Sequence, residues 1–164
     1  LKKTTKIQHT AAAPADAAAT AAGGASTPQP FFWPVRVYYE DTDAGGVVYY
    51  ANYLRFMERA RTEWLRTLGF EQPALADEHG VLFVVRAVNI DYLKPSRFND
   101  SLQVTVEVVN VGGSRIRFLQ RVLRGNEVIV RADVDVVCVS TDSFRPARVP
   151  RAMRTIIATE ETAE

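Results

Sequence analysis

The sequence predicts an α+β fold in which one large antiparallel sheet wraps a single long helix. Two patterns point there. From about Ala51 to Leu68 apolar residues recur every three and four positions, the period of a helix with one buried face. Beyond Gly80 apolar and polar residues alternate in runs joined by short glycine links, the period of half-buried strands.

The elements follow in order. Phe31 to Tyr39, FFWPVRVYY, reads as a first strand, with Pro34 tolerable near its start or at a sheet edge. The helix carries Leu54, Met57, Ala60, Arg61, Trp64, Leu65 and Leu68 on one stripe, while Glu58, Arg59, Glu63 and Arg66 fall off it. Gly69 supplies a stop, and a short helical piece is expected over Pro73 to Glu78. In the second strand Val84, Arg86, Val88, Ile90 and Tyr92 share one parity, ending at Lys94-Pro95. The third sets Leu102, Val104, Val106 and Val108 against Gln103, Thr105 and Glu107. In the fourth Ile116, Phe118 and Val122 alternate with Arg115, Arg117 and Arg121. The fifth runs from Val128 through Val130, Ala132, Val134 and Val136 to Cys138, with Arg131, Asp133 and Asp135 opposed. Gly112-Gly113 and Gly125-Asn126 are turns, so these last three strands form an antiparallel meander.

Composition sets the class. The 164 residues fit one domain, expected over residues 31–164, with enough apolar residues for a core. Residues 1–30 are rich in Ala, Thr and Pro and nearly free of large apolar side chains, so a disordered extension is expected there. Its lysines could imitate an export signal, but the Ala-rich run lacks the apolar density of one. With the extension set aside, 17 basic and 18 acidic residues remain, a balance that argues against a nucleic-acid-binding surface. No run is long and apolar enough to span a membrane. Cys138 is the only cysteine, which suits a reducing, cytoplasmic setting.

The chemistry is concentrated between Tyr38 and Arg66, YYEDTDAGGVVYYANYLRFMERARTEWLR. Asp41 and Asp43 end an extended run, where two residues' spacing points both the same way, and Gly45-Gly46 then turns the chain into the helix. A carboxylate beside free helix N-terminal amides suits hydrolysis of an activated acyl group. Other designs lack parts. There is no G-x-S-x-G elbow and no clustered His, Cys and carboxylate metal set, and the only histidines are His9 and His79.

The D-T-D-A-G-G-V-V-Y-Y-A-N-Y run followed by E-R-A-R-T-E resembles the hotdog-fold acyl-CoA thioesterases of the YbgC type, within the 4-hydroxybenzoyl-CoA thioesterase family. The resemblance covers roughly Trp33 to Ile157. It implies a hotdog fold, a homodimer or homotetramer, and hydrolysis of an acyl-CoA or acyl carrier protein thioester without metal or other cofactor. It assigns Asp43 as nucleophile or general base and the Tyr50 amide as oxyanion donor. Many YbgC-type members carry His where Tyr50 stands, so an imidazole role is lost here. The 4-hydroxybenzoyl-CoA branch carries Tyr at that place. Gly46, Val47 and Tyr53 are candidate substrate contacts, with Arg86 and the Gly113-Ser114-Arg115 turn for coenzyme A. Asp41 is assigned to loop hydrogen bonds, and Asn52 to the loop or the acyl pocket. Glu58 is the alternative catalytic carboxylate, because some hotdog enzymes carry theirs on the central helix; its spacings equally suit ion pairs. Phe31, Phe32, Tyr53, Phe56, Phe83 and Tyr92 are candidate acyl-pocket walls. Arg145, Arg148, Arg151 and Arg154, every third residue, could meet phosphates or an acidic acyl carrier protein. The rival function is an acyl carrier protein or lipid-synthesis scaffold associated with the Tol-Pal envelope system.

Overall fold

A computed structural model describes residues 30–159 of the chain. The expected disordered extension therefore lies outside the described residues, apart from residue 30. Five strands, β1 (Phe31–Arg36), β2 (Val81–Tyr92), β3 (Ser101–Val111), β4 (Arg115–Arg124) and β5 (Glu127–Ser140), form one sheet in the order β1-β3-β4-β5-β2. Every neighbouring pair is antiparallel, and β3-β4-β5 is the expected meander.

The long helix α1 (Tyr50–Thr67) lies on this sheet, closest to β3 and β1. Its buried face is Tyr53, Phe56, Met57, Ala60, Trp64 and Leu65, and Trp64 meets Phe118 of β4 edge-on with ring centroids 5.3 Å apart. The stripe read from sequence is rotated slightly: Leu54 is 37% exposed, and Tyr53 and Phe56 take the buried side. The helix ends where expected, with Gly69 at φ 85°, and α2 (Gln72–His79) follows.

Three expectations are corrected. β1 ends at Arg36 rather than Tyr39, because the Tyr38 amide donates to Asp41 Oδ2 at 2.8 Å and Tyr39–Asp41 close into a 3-10 turn. This turn also breaks the extended path that would have aimed Asp41 and Asp43 alike. β2 does not alternate cleanly: Val85 and Val88 are exposed and the register slips between Val85 and Ala87. It is an edge strand, hydrogen-bonded only to β5 among the described residues, and from Val85 to Tyr92 all its residues but Ile90 are exposed. Of the C-terminal arginine row, Arg151 and Arg154 sit on a third helix, α3 (Arg151–Thr159), that the sequence reading missed, and Arg145 and Arg148 lie in the segment before it. Met153 and Ile157, four apart, are its buried side.

Candidate active site

Residues 41–49 fold as a small hairpin. Gly46 N–H donates to the Asp43 carbonyl at 2.9 Å and Asp43 N–H to the Val47 carbonyl at 3.0 Å, with Thr42 and Val48 bridged. This is a three-residue loop whose left-handed position must be taken by a residue tolerating φ 72°, here Gly46. Asp43 Oδ1 accepts the Gly45 N–H at 2.8 Å, which fixes the carboxylate over the turn. Its other oxygen has no protein partner among the described residues.

The hairpin is fastened to the start of α1. The Asp41 carbonyl accepts both the Tyr49 N–H and Asn52 Nδ2, each at 2.9 Å. Val48 N–H donates to the Ser96 carbonyl at 2.8 Å, and buried Ser96 pairs its hydroxyl with the Tyr53 hydroxyl at 2.7 Å. No side chain among the described residues caps α1. Asn52 N–H turns back to the Tyr49 carbonyl, so the amides of Tyr50 and Ala51 remain as first-turn donors without a backbone acceptor among the described residues. Asp43, Thr42, Tyr49, Ala51 and Asn52 line one open groove, joined by Glu40 and Arg55, which sequence reasoning had not singled out. The Tyr49 phenol is raised above its usual value, first by Tyr50 and least by the Asp43 charge. It stays protonated at neutral pH, so a carboxylate is the base this groove offers. The arrangement can hold water against an electrophilic carbonyl while helix-end amides face its oxygen.

A family model described as the thioesterase-like superfamily matches residues 37–157. The chain belongs to this superfamily. The acyl-CoA thioesterase YbgC of Haemophilus influenzae is 48% identical over 124 residues, 76% of this chain and 91% of that protein. The acyl-CoA thioester hydrolase YbgC of an Escherichia coli O6:H1 strain is 47% identical, covering 75% of this chain and 92% of its own. A probable thioesterase from Bartonella henselae has a solved structure with TM-score 0.71 and 34% identity, over 74% of this chain and 100% of that one. The family resemblance read from the D-T-D run, and the hotdog fold it implied, are the ones found.

In this thioesterase-like chain the remaining candidates are scattered. The Tyr50 side chain leaves the Asp43 groove and packs on Tyr92, whose hydroxyl donates to the Tyr50 carbonyl at 3.2 Å; only the Tyr50 amide can serve a site at Asp43. Tyr53 is buried, its hydroxyl occupied by Ser96, with its ring contributing to a second groove beside Tyr50 and Tyr92. Gly46 gives its N–H, and Val47 its carbonyl, to the hairpin itself. Glu58 lies eight residues beyond Tyr50, about 12 Å along the helix, and accepts from the Thr62 hydroxyl at 2.8 Å. Arg86 pairs with Asp135 at 3.6 Å. The Gly113-Ser114-Arg115 turn sits at the far end of β3 from Ser101, on the order of 30 Å from the hairpin end. Of the six aromatic candidates, Tyr53, Phe56 and Tyr92 meet, the Tyr53 ring lying 6.0 Å from Phe56 and 5.8 Å from Tyr92 by centroids, whereas Phe31 and Phe32 lie on edge strand β1 and Phe83 lines a separate cavity.

Proposed function

We propose that this chain is a thioester hydrolase acting on acyl-CoA, with Asp43 at the reacting carbonyl. The observation that carries the assignment of Asp43 is its carboxylate, locked through Oδ1 to Gly45 and free at the other oxygen, next to an uncapped helix start. That free oxygen takes a proton from water as the water adds to the thioester, or attacks the carbonyl itself to form a mixed anhydride that water then cleaves to the free acid. The negative charge that develops on the carbonyl oxygen is met by the Tyr50 amide and the helix dipole. The thiolate leaves as coenzyme A.

The site is completed by a second copy. β2 is a twelve-residue edge strand carrying exposed Val85, Val88 and Tyr92, a surface suited to pairing with itself. Assembly as a homodimer or homotetramer would bring Arg86 and the Gly113-Ser114-Arg115 turn of another subunit toward the Asp43 groove, which one chain alone does not do. A cytoplasmic setting fits the lone buried thiol of Cys138, and no helix among the described residues is long and apolar enough to cross a membrane. Thiol release from short, long and aromatic acyl-CoA thioesters tests the reading. Turnover of at least one class supports it, and no turnover of any class defeats it.

A second reading rests on the exposed Arg145, Arg148, Arg151 and Arg154, none of which forms an ion pair among the described residues. Such a row suits an acidic acyl carrier protein, with the chain serving as a lipid-synthesis scaffold near the Tol-Pal envelope system. Binding of acyl carrier protein that persists in Asp43→Asn, without hydrolysis, would favour it.

A further inference from the structure

Away from the Asp43 hairpin, a cavity of about 110 Å³ lies between α1, α2, α3 and the sheet. Its walls are largely apolar, including Phe83, Ile116, Phe118, Val136 and Met153, yet Arg61 projects into it from the helix. Arg61 is the odd member of its surroundings. A guanidinium carries five N–H donors, and here its one side-chain hydrogen-bond partner among the described residues is Gln120 Oε1 at 2.5 Å. Gln120 is fully buried and spends its own amide on the carbonyls of Met57 and Thr105, at 3.1 and 3.2 Å. It therefore holds the guanidinium in place without neutralising it. Arg66, Arg86, Arg117, Arg121 and Arg124 all pair with carboxylates, whereas Arg61 forms no ion pair among the described residues. Burial pushes its guanidinium down to about 10, and the nearby Glu58 charge only partly offsets that. Glu58 stands at the cavity's rim, with its Oε1 taken by Thr62.

A fixed, partly buried cation with unused donors beside an apolar chamber is complementary to a carboxylate on an aliphatic stem. The chamber holds roughly four water-sized volumes, room for a carboxylate and a few methylenes. Resting on the thioesterase reading above, we propose that this cavity takes the far end of the acyl group and selects thioesters of dicarboxylic acids, with Arg61 binding the distal carboxylate. The cavity adjoins the groove of Glu40, Arg55 and Arg59 through Glu58, and that groove adjoins the Asp43 groove through Glu40 and Arg55. Along α1 Arg61 lies eleven residues past Tyr50, about 16 Å. An extended chain covers about 1.2 Å per bond, so an acid reaching it within one chain is long, and a shorter optimum means that a second copy supplies the cavity.

The test compares kcat/KM for mono-CoA thioesters of dicarboxylic acids, from roughly four to roughly sixteen carbons, with methyl-ended thioesters of equal length. Wild type is expected to favour the carboxyl-ended member at least tenfold at its best length, and Arg61→Leu to lower that ratio at least tenfold. Arg61→Lys, which keeps the charge and the fold's volume but loses the planar fork, should fall between. A wild-type preference for methyl-ended thioesters at every length overturns the proposal while leaving the thioesterase reading intact. If no thioester is hydrolysed, that reading fails instead, and the cavity is judged by binding. Quenching of Trp64, which lines it, by carboxyl-ended but not methyl-ended acyl-CoA, and its loss in Arg61→Leu, upholds the proposal. Equal binding of both overturns it.

Discussion

Gly45→Ala isolates the placement of the Asp43 carboxylate from every other property of the loop. Gly45 has no positive φ, so alanine is tolerated by its backbone, but an added Cβ would stand 3.1 Å from Asp43 Oδ1. Ordinary contact begins near 3.4 Å, so the carboxylate must give by a few tenths of an ångström. Misplacement by 1 Å costs on the order of 10²-fold in rate, and the smaller shift scales to a loss of roughly three- to tenfold. Gly46→Ala is the matched control. It meets nothing within 4 Å but sits at φ 72°, so it costs about 1–2 kcal/mol of strain without pressing on the carboxylate. Thiol release and thermal melts on both variants separate the effects. Gly45→Ala should lose kcat at unchanged melting temperature, and Gly46→Ala should lose melting temperature first. Gly45→Ala at wild-type kcat would refute the reasoning that the Oδ1 contact sets the reacting geometry.

Tyr53→Phe strands the buried Ser96, whose amide donates to the Tyr53 hydroxyl at 3.1 Å and whose hydroxyl pairs with it. Denaturant unfolding should show a loss of about 1–3 kcal/mol. Gln120→Ala removes the acceptor of Arg61 and opens a hole under Met57, with about 2–4 kcal/mol expected by the same measurement. Glu127 is held below the usual carboxylate range, first by Lys94 and then by Arg124. Because its folded value is depressed, its contribution is present above the ordinary glutamate value and lost as pH falls through the lower folded one. Glu127→Gln should therefore flatten the acid limb of melting temperature against pH; identical limbs would contradict the assignment.

The local parts of this site were legible because their causes are local. The D-A-G-G order dictates a tight turn, a residue able to adopt positive φ and a carboxylate over its own loop, and Asp43, Gly45 and Gly46 do those things. The helix behind it was readable from its period. What failed depends on pairing across long stretches of chain. Nothing near Gly113, Ser114 or Arg115 says that the sheet register carries them to the end opposite the hairpin. α3 was hidden because the arginine spacing of three drew attention from Met153 and Ile157. Arg61 on the helix stripe and Gln120 on the inward parity of β4 were both visible misfits. Their meeting, across 59 positions of sequence, required the fold.

The most direct test of the central claim is thiol release from the best acyl-CoA substrate by wild type, Asp43→Asn and Glu58→Gln, with folding checked by melting. Removal of a general base or nucleophile should cost about 10²–10⁴-fold, and that loss is expected for Asp43→Asn while Glu58→Gln keeps turnover within a few-fold. Retention of the wild-type rate by folded Asp43→Asn, with loss in Glu58→Gln, would move the chemistry from the hairpin to the helix.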